Sequence, residues 1–155
     1  METKWTYSTP DKADDIEMYV ANEVTDKYVI GTTIRRPGMM SKKMTYYVTV
    51  FGIDEGKKLF DIPVSNDNEQ LSLNNMFYDS EKNEIVLFGD YYNLKDKAGI
   101  GKSLGFYIKR LDIAGKEVNK KLFSWSDANP LLTPAAKQSL DKGYMNYAQK
   151  VLRGS

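Results

Sequence analysis

The stretch Val86-Leu87-Phe88-Gly89-Asp90 decides the fold, because a similar stretch occurs twice in the chain. The earlier copy, Tyr28-Val29-Ile30-Gly31-Thr32, has the same order of apolar residues, glycine and a short polar residue. Segments 46–54 and 104–112 line up at the same offset of about 58 residues. Similarity at one fixed period indicates tandem units with the same supersecondary structure. The sequence therefore predicts a repeat.

A side-chain amide recurs in the first apolar segment of each unit. Asn22, Asn75 and Gln149 each stand among apolar residues that alternate at a period of two. This period is the spacing of a strand with one buried face. We therefore expect one repeat-built domain over 1–155, with an N-terminal segment at 1–14, units at 15–64 and 65–126, and a helix plus the first strand of a partial third unit at 127–155.

Each unit is expected to contain four antiparallel strands. The predicted strands are 17–24, 27–35, 43–53 and 57–63 in the first unit, and 70–78, 84–92, 104–112 and 116–123 in the second. Gly56 and Gly115 follow aspartates in short polar segments, which is typical of tight hairpin turns. Thr133 and Pro134 predict the start of a short helix that Gly143 ends, and 144–152 reads as the extra terminal strand.

Four short antiparallel strands in tandem units are the pattern of a β-propeller blade. The predicted fold class is all-β, with two tandem four-stranded antiparallel propeller-like blades, a short C-terminal helix and an extra terminal strand. A β-sandwich or a barrel is the alternative, because strand patterning alone does not determine how sheets close.

The segments Ile85–Asp90, Gly105–Ile108 and Leu111–Lys116 carry a resemblance to known repeats. They resemble the blades of uncharacterised β-propeller-like repeat proteins of Bacteroides-type bacteria, and the resemblance extends over residues 15–152. It implies a fragment of about two blades from an exported protein, periplasmic or at the cell surface, with a non-enzymatic or unknown role. The resemblance transfers no functional residues.

Composition excludes several kinds of chemistry. The chain has no cysteine and no histidine, which excludes thiol nucleophiles, Ser-His-Asp catalysis and the usual zinc sites. A balance of 22 Lys+Arg against 21 Asp+Glu provides no global field to attract nucleic acid or an anionic membrane. No apolar run approaches the roughly 18 residues of a spanning helix. We therefore predict no metal, no cofactor, no nucleic-acid partner and no membrane span.

Seven side chains are candidates for ligand contact. The amides of Asn22, Asn75 and Gln149 would line a central channel and bind a ligand, or would cross-link neighbouring strands without one. Arg35 and Arg36 flank a predicted loop at 37–41 and offer planar forks for an anion, or belong to an ordinary charged loop. If they bind an anionic partner, we expect removal of both to weaken binding and to leave stability nearly unchanged.

Tyr47 and Tyr92 complete the candidate set. Each belongs to a pair of adjacent tyrosines, and adjacent residues on a strand face opposite ways. One ring of each pair would then be exposed and could stack on a sugar or a protein surface. Packing within the sheet explains the same rings, because aromatic residues are common in strands.

The predicted function is a non-catalytic binding or scaffolding module with a protein or glycan partner. Two blades cannot close a circle, and open sheet edges recruit another chain, so self-association is expected. The alternative is a hydrolase with paired carboxylates, which needs two acids about 5–10 Å apart. No acidic residue recurs in a way that singles out such a pair.

Overall fold

The computed structural model describes residues 5–8, 15–38, 44–95 and 102–125. The secondary structure of these residues consists of nine β-strands, which pair in antiparallel fashion. The chain divides into two compact units, Met1–Val64 and Ser65–Ser155. The all-β prediction is confirmed. The helix predicted over 133–143 and the strand predicted over 144–152 lie outside the described residues.

The first unit contains a four-stranded sheet in the order β1-β2-β3-β4. Its strands are β1 (Asp15–Val24), β2 (Tyr28–Pro37), β3 (Thr45–Gly52) and β4 (Lys58–Pro63). Neighbours in sequence are thus neighbours in the sheet. The strand predicted to end at Arg35 continues to Pro37, so Arg36 also belongs to β2, and both arginines pair with β1.

The second unit contains a five-stranded sheet. Its strands are β5 (Gln70–Leu71), β6 (Asn75–Asp79), β7 (Glu84–Tyr92), β8 (Gly105–Asp112) and β9 (Glu117–Ser124). The prediction of one continuous strand over 70–78 is wrong. Residues 72–74 interrupt it, and the two pieces, β5 and β6, both pair with β7.

Two hairpin turns follow the prediction from turn residues. Gly56 joins β3 to β4 with a φ of 62°, and Gly115 joins β8 to β9 with a φ of 86°. Asp112 accepts hydrogen bonds from the backbone N–H groups of Ala114 and Lys116, both at 2.9 Å. An aspartate that caps the turn and a glycine in the left-handed region are the usual components of such hairpins.

The first strand of the first unit contains one extra residue opposite β2. The register passes from Ala21 opposite Gly31 to Glu23 opposite Ile30, so Asn22 is the additional residue. Two residues opposite one define a β-bulge, which bends the strand and increases its twist.

The second unit contains the same irregularity. Ser72 donates its backbone N–H to the carbonyl of Asp90, and Asn74 donates to that of Phe88, both at 2.9 Å. Asn75 also lies opposite Phe88. The extra residue is therefore Asn74, and the register matches Asn22 with Asn74. The expected match of Asn22 with Asn75 is displaced by one residue.

A glycine of the second strand faces each bulge. A Cβ atom at Gly31 would meet the carbonyl oxygen of Val20, and one at Gly89 would meet the carbonyl oxygen of Ser72. Both contacts would be well inside van der Waals distance. The backbones of the first and second strands approach this closely because glycine lacks a side chain.

The core of each unit is centred on an inner strand that is buried on both faces. These residues are Val48–Phe51 of β3 and Ile85–Asp90 of β7. Residues 5–8 add aromatic packing in the first unit, where the ring of Tyr7 lies 4.7 Å from that of Phe51. In the second unit Phe106 stacks on Phe123 at 4.8 Å and also contacts Phe88 and Trp125. Aromatic pairs of this kind contribute more than their buried area alone.

We predict that Gly89→Ala lowers the free energy of unfolding by at least about 2 kcal/mol, because the new methyl group would force β7 away from a backbone carbonyl. Gly52→Ala is the matched control, since its Cβ would lie 3.9 Å from a Leu59 side-chain carbon, an ordinary contact. That variant should stay within about 1 kcal/mol of wild type. Urea unfolding followed by circular dichroism measures both. Equal losses would contradict the steric explanation.

Candidate functional site

One candidate site lies on a single face of the first sheet and is centred on Arg35. The register places Glu17 of β1 opposite Arg35 of β2, and Asp61 of β4 opposite Thr49 of β3. Because side chains alternate between faces, these residues and Tyr47 all project from the same side. We call Glu17, Arg35, Tyr47, Thr49 and Asp61 the Arg35 cluster.

The guanidinium group of Arg35 contacts both acids of the cluster. Its Nε donates to Glu17 Oε2 at 2.8 Å, and one terminal nitrogen donates to Asp61 Oδ2. Its central carbon lies 4.1 Å from the centroid of the Tyr47 ring, which is a cation–π contact. Burial lowers the pKa of Arg35, but the hydrogen bonds to Glu17 and Asp61 outweigh burial and raise it. Arg35 is thus held as a permanent cation.

Hydroxyl groups extend the cluster. Thr49 donates to Asp61 Oδ1 at 2.9 Å and lies 2.6 Å from the hydroxyl of Thr33. Tyr7 donates its hydroxyl to Glu17 Oε1 at 3.2 Å. The two carboxylates therefore share Arg35, and each accepts from one hydroxyl group, Glu17 from that of Tyr7 and Asp61 from that of Thr49. Lys58 Nζ also lies 3.7 Å from Asp61. This arrangement joins β1, β2, β3 and β4 and leaves the fork of Arg35 occupied by the protein's own acids.

Among the candidate residues, the structure brings Arg35 and Tyr47 into contact. Arg36 projects from the opposite face of β2, where its buried Nε has no hydrogen-bond partner among the described residues. Tyr92 belongs to the second unit and is only 4% exposed. The two arginines therefore do not form one anion-binding fork.

The two amides of the predicted column that the structure describes make local contacts within their own sheets. Asn22 is exposed, and its Oδ1 accepts a hydrogen bond from the hydroxyl of Thr32 at 3.0 Å. Asn75 is also exposed, and its Oδ1 accepts from the backbone N–H of Met76 at 2.8 Å. Gln149 lies outside the described residues. The contacts of Asn22 and Asn75 are internal to the sheets.

Asp90 forms a second cluster, which the sequence analysis did not identify. Its side chain is fully buried within β7. Asn74 Nδ2 donates to Oδ2 at 2.8 Å, and the Ser103 hydroxyl lies 3.2 Å from Oδ1. Trp125 Nε1 donates to that same hydroxyl at 2.9 Å. We call Asn74, Asp90, Ser103 and Trp125 the Asp90 cluster.

The Asp90 carboxyl group is buried and has a raised pKa. Burial raises its pKa, and the hydrogen bonds from Asn74 and Ser103 oppose that shift without cancelling it. The donors that the structure describes at this carboxyl group are neutral. Asp90 occupies the position in the second unit that Thr32 occupies in the first. This replacement of threonine by an acid in the repeat is the sequence signal that could have identified Asp90.

Glu69 forms a buried ion-pair cluster on the second sheet. Lys109 Nζ lies 3.1 Å from Glu69 Oε1, and Lys120 binds Glu69 Oε2. Burial raises the pKa of Glu69, but the two lysines more than compensate and lower it. Only 7% of the Lys109 side chain is exposed. Glu69 is therefore a charged structural link between β8, β9 and the segment ahead of β5.

Neither a metal-binding cluster of side chains nor a membrane-spanning helix is present in the part of the chain described here. Over residues 5–8, 15–38, 44–95 and 102–125, no group of three or more acidic side chains is arranged to hold a metal ion. In the same ranges no helix has the length and apolar character needed to cross a membrane.

A family model matches the chain over residues 1–155. The chain belongs to DUF6770, a family of unknown function. Neither the curated proteins nor the solved structures contain a match to it. For this DUF6770 protein, evidence about function therefore comes from the arrangement of its own side chains.

Arg35→Ala should destabilise the DUF6770 chain by about 1–3 kcal/mol, because Glu17 loses this cation and Asp61 keeps only the more distant contact with Lys58 at 3.7 Å. The earlier expectation of unchanged stability is thus replaced. Arg36→Ala is the matched control on the opposite face and should change stability by less than about 0.5 kcal/mol. Arg35→Lys keeps the positive charge but lacks the planar guanidinium that contacts both acids. Its loss of stability should therefore lie between those of the two alanine variants. Urea unfolding of the three variants is the measurement, and equal effects of both alanine variants would refute a structural role for Arg35.

Asp90→Asn should become more stable relative to wild type as pH rises. Burial raises the folded-state pKa of Asp90 above its unfolded value of about 3.9, so ionisation costs more in the folded state. The carboxyl group therefore loses its favourable contribution as pH rises from the unfolded pKa through the folded pKa. The advantage of the variant should grow across that window and then level off.

Unfolding by urea at a series of pH values tests this dependence. Asp67→Asn removes the same charge from an exposed position and serves as the control. A stability difference between Asp90→Asn and wild type that is independent of pH would show that Asp90 does not titrate abnormally.

Proposed function

We propose that this DUF6770 chain is a non-catalytic binding or scaffolding module, formed by two blade-like units of a longer β-propeller-like protein. The observation that carries the proposal is the matching construction of the two sheets. Each has an asparagine bulge in its first strand, opposite a glycine that permits close approach of the backbones. A repeated local constraint of this kind supports a repeat architecture, in which surfaces rather than single pockets bind partners.

The amide contacts at the bulges give further support. Asn22 contacts Thr32 in the first unit, and Asn74 contacts Asp90 in the second. Thr32 and Asp90 each directly follow the glycine that faces the bulge. The resemblance of residues 85–90 and 105–116 to propeller blades of exported Bacteroides-type proteins is consistent with this construction.

The acidic residues of the described segments favour a non-catalytic role. Glu17 and Asp61 share Arg35, and Asp79 and Glu84 share Arg110 at 3.3 and 2.9 Å. A glycosidase of the paired-carboxylate type needs one protonated acid beside a second carboxylate. In both pairs the arginine guanidinium bridges the two carboxylates and occupies the position between them that a scissile bond would need.

Exposed side chains favour a protein partner over a glycan. The aromatic candidates for sugar stacking are occupied, since Tyr47 lies against Arg35 and Tyr92 is buried. The large exposed apolar residues are mostly aliphatic and are listed here: Met18, Val20, Val24, Met44, Leu59, Phe77, Leu94, Leu104, Val118, Leu122 and Phe123. Aliphatic surface of this kind fits protein contacts better than the polar faces of sugars.

Peptide and glycan arrays, run beside a panel of chromogenic glycosides, test the proposed function. We expect binding on the peptide array and no turnover of any glycoside. Turnover by the wild-type chain that disappears in Glu17→Gln would establish the hydrolase alternative. Asn22→Ala, at an exposed position, is the control for unspecific loss of activity through substitution.

A further inference from the structure

A short segment lies against the first sheet without belonging to any strand. In residues 5–8, Trp5 and Tyr7 are partly buried, whereas Thr6 and Ser8 are exposed. This alternation at a period of two is that of an extended chain with one side turned to a surface. We call residues 5–8 the strap.

The indole of Trp5 contacts a backbone carbonyl, an aromatic ring and a glycine. Its Nε1 donates to the carbonyl oxygen of Ile53 at 2.6 Å. Its ring lies 5.9 Å from that of Phe51, and a Cβ atom at Gly56 would meet the indole at 2.6 Å. This position therefore accepts a large flat ring with a hydrogen-bond donor, which is the chemistry of tryptophan. A phenylalanine ring would leave the Ile53 carbonyl without this donor.

The phenol of Tyr7 has an acidic partner. Its hydroxyl donates to Glu17 Oε1 at 3.2 Å, while Oε2 of the same carboxylate accepts from Arg35. Its ring centroid lies 4.7 Å from that of Phe51 and 5.6 Å from Lys58 Nζ. A hydrogen bond to a carboxylate is stronger than one between neutral groups. This position therefore favours tyrosine over phenylalanine.

Side chains alone join the strap to the described part of the first unit. Its two hydrogen bonds there are those of Trp5 and Tyr7, and its backbone forms none with the described residues. A segment without backbone hydrogen bonds opens at a lower free energy than a strand within a sheet. Another segment with the same two aromatic side chains can therefore exchange with the strap.

A tyrosine beside the strap has an unsatisfied hydroxyl group. The ring of Tyr19 lies 5.9 Å from that of Tyr7, and its buried hydroxyl has no hydrogen-bond partner among the described residues. A buried donor without an acceptor is unfavourable. A longer segment that supplied an acceptor to Tyr19 would gain a hydrogen bond that the strap does not make.

We propose that the surface beneath the strap is a recognition site for a segment of a partner protein that carries a tryptophan and a tyrosine two residues apart. The surface consists of the residues that contact the strap: Glu17, Tyr19, Phe51, Ile53, Gly56 and Lys58. The proposal rests on the binding function proposed above and names its surface and the chemistry of its ligand. In the free chain the strap occupies this site, so a partner segment must displace it.

A chain with a vacant site tests this inference. Trp5→Ala combined with Tyr7→Ala removes both rings of the strap from the full chain, and Thr6→Ala is the matched control at an exposed position of the same segment. A synthetic peptide with the sequence of residues 3–9 is titrated calorimetrically into each protein. We expect the double variant to bind this peptide at least about tenfold more tightly than wild type or Thr6→Ala, because no strap competes with it.

Changes in the peptide test the chemistry of the site. Phenylalanine in place of its tyrosine removes only the hydroxyl that reaches Glu17, and should weaken binding to the double variant about tenfold. Alanine in place of both aromatic residues should abolish binding. Three peptides of equal affinity would contradict recognition of an indole and a phenol.

The wild-type chain provides a measurement that does not depend on the folding of the double variant. In nuclear magnetic resonance of the isotope-labelled wild type, a millimolar excess of unlabelled peptide should move the Trp5 indole N–H signal to the position of a solvent-exposed indole. The signal of Trp125, whose indole donates to Ser103 in the second unit, should stay unchanged. An unmoved Trp5 signal would overturn the proposal.

The peptide array separates failure of this inference from failure of the proposed function. The double variant should gain signal at array peptides with a tryptophan and a tyrosine two residues apart. A wild type that binds other array peptides, combined with a folded double variant that gains no such signal, would overturn the recognition site and leave the proposed binding function intact. An array on which neither protein binds any peptide would overturn both.

Discussion

The close approach of the first and second strands is the constraint on which both units depend. Gly31 and Gly89 permit it, because a Cβ atom at either position would collide with a carbonyl oxygen of the neighbouring strand. An extra residue in the first strand, Asn22 or Asn74, accommodates the resulting bend. Bulges change the direction of a strand and the face on which its side chains lie. The polar contacts beside each bulge therefore follow from a glycine and one added residue.

The two units use the same position for different chemistry. Thr32 is a neutral partner for Asn22, whereas Asp90 is an ionisable partner for Asn74 inside a buried cluster. A buried carboxyl group whose described donors are neutral is costly to ionise, so we expect a pH-dependent stability from Asp90 and none from Thr32 at the equivalent position. The first unit instead places its acids around Arg35, where each carboxylate has a counter-charge.

These arrangements bear on where function is located. Opposite charges pair within the Arg35 cluster. They also pair within the group formed by Glu69, Lys109 and Lys120. Both groups connect segments that are distant in sequence. Ion pairs of this kind favour one arrangement of strands over others, even where their net contribution to stability is small. The edge of the first sheet is different, because β1 carries exposed aliphatic side chains at Met18, Val20 and Val24. In a chain without histidine or cysteine, such edges are the natural place for recognition.

The sequence by itself determined the strands, because alternation at a period of two and turn glycines are local signals. The predicted strand over 84–92 agrees with β7, and the hairpin at Gly115 formed as its residues indicate. Sequence comparison misplaced Asn75 by one residue, since an ungapped alignment cannot reveal a bulge. It also ended the second strand at Arg35, two residues early, because charged residues near a proline and a glycine resemble a turn.

Tertiary structure alone decided which side chains meet. Arg35 reaches Glu17, Tyr47 and Asp61 on three other strands, and the register of hydrogen bonds determines that all four lie on one face. Asp90 became a buried ionisable group only when β7 was enclosed on both faces. Periodicity predicts which residues of a strand share a face, but it contains no information about which strand lies beside it. Pairing and burial are properties of the assembled sheet, and for that reason the clusters could not be derived from the sequence.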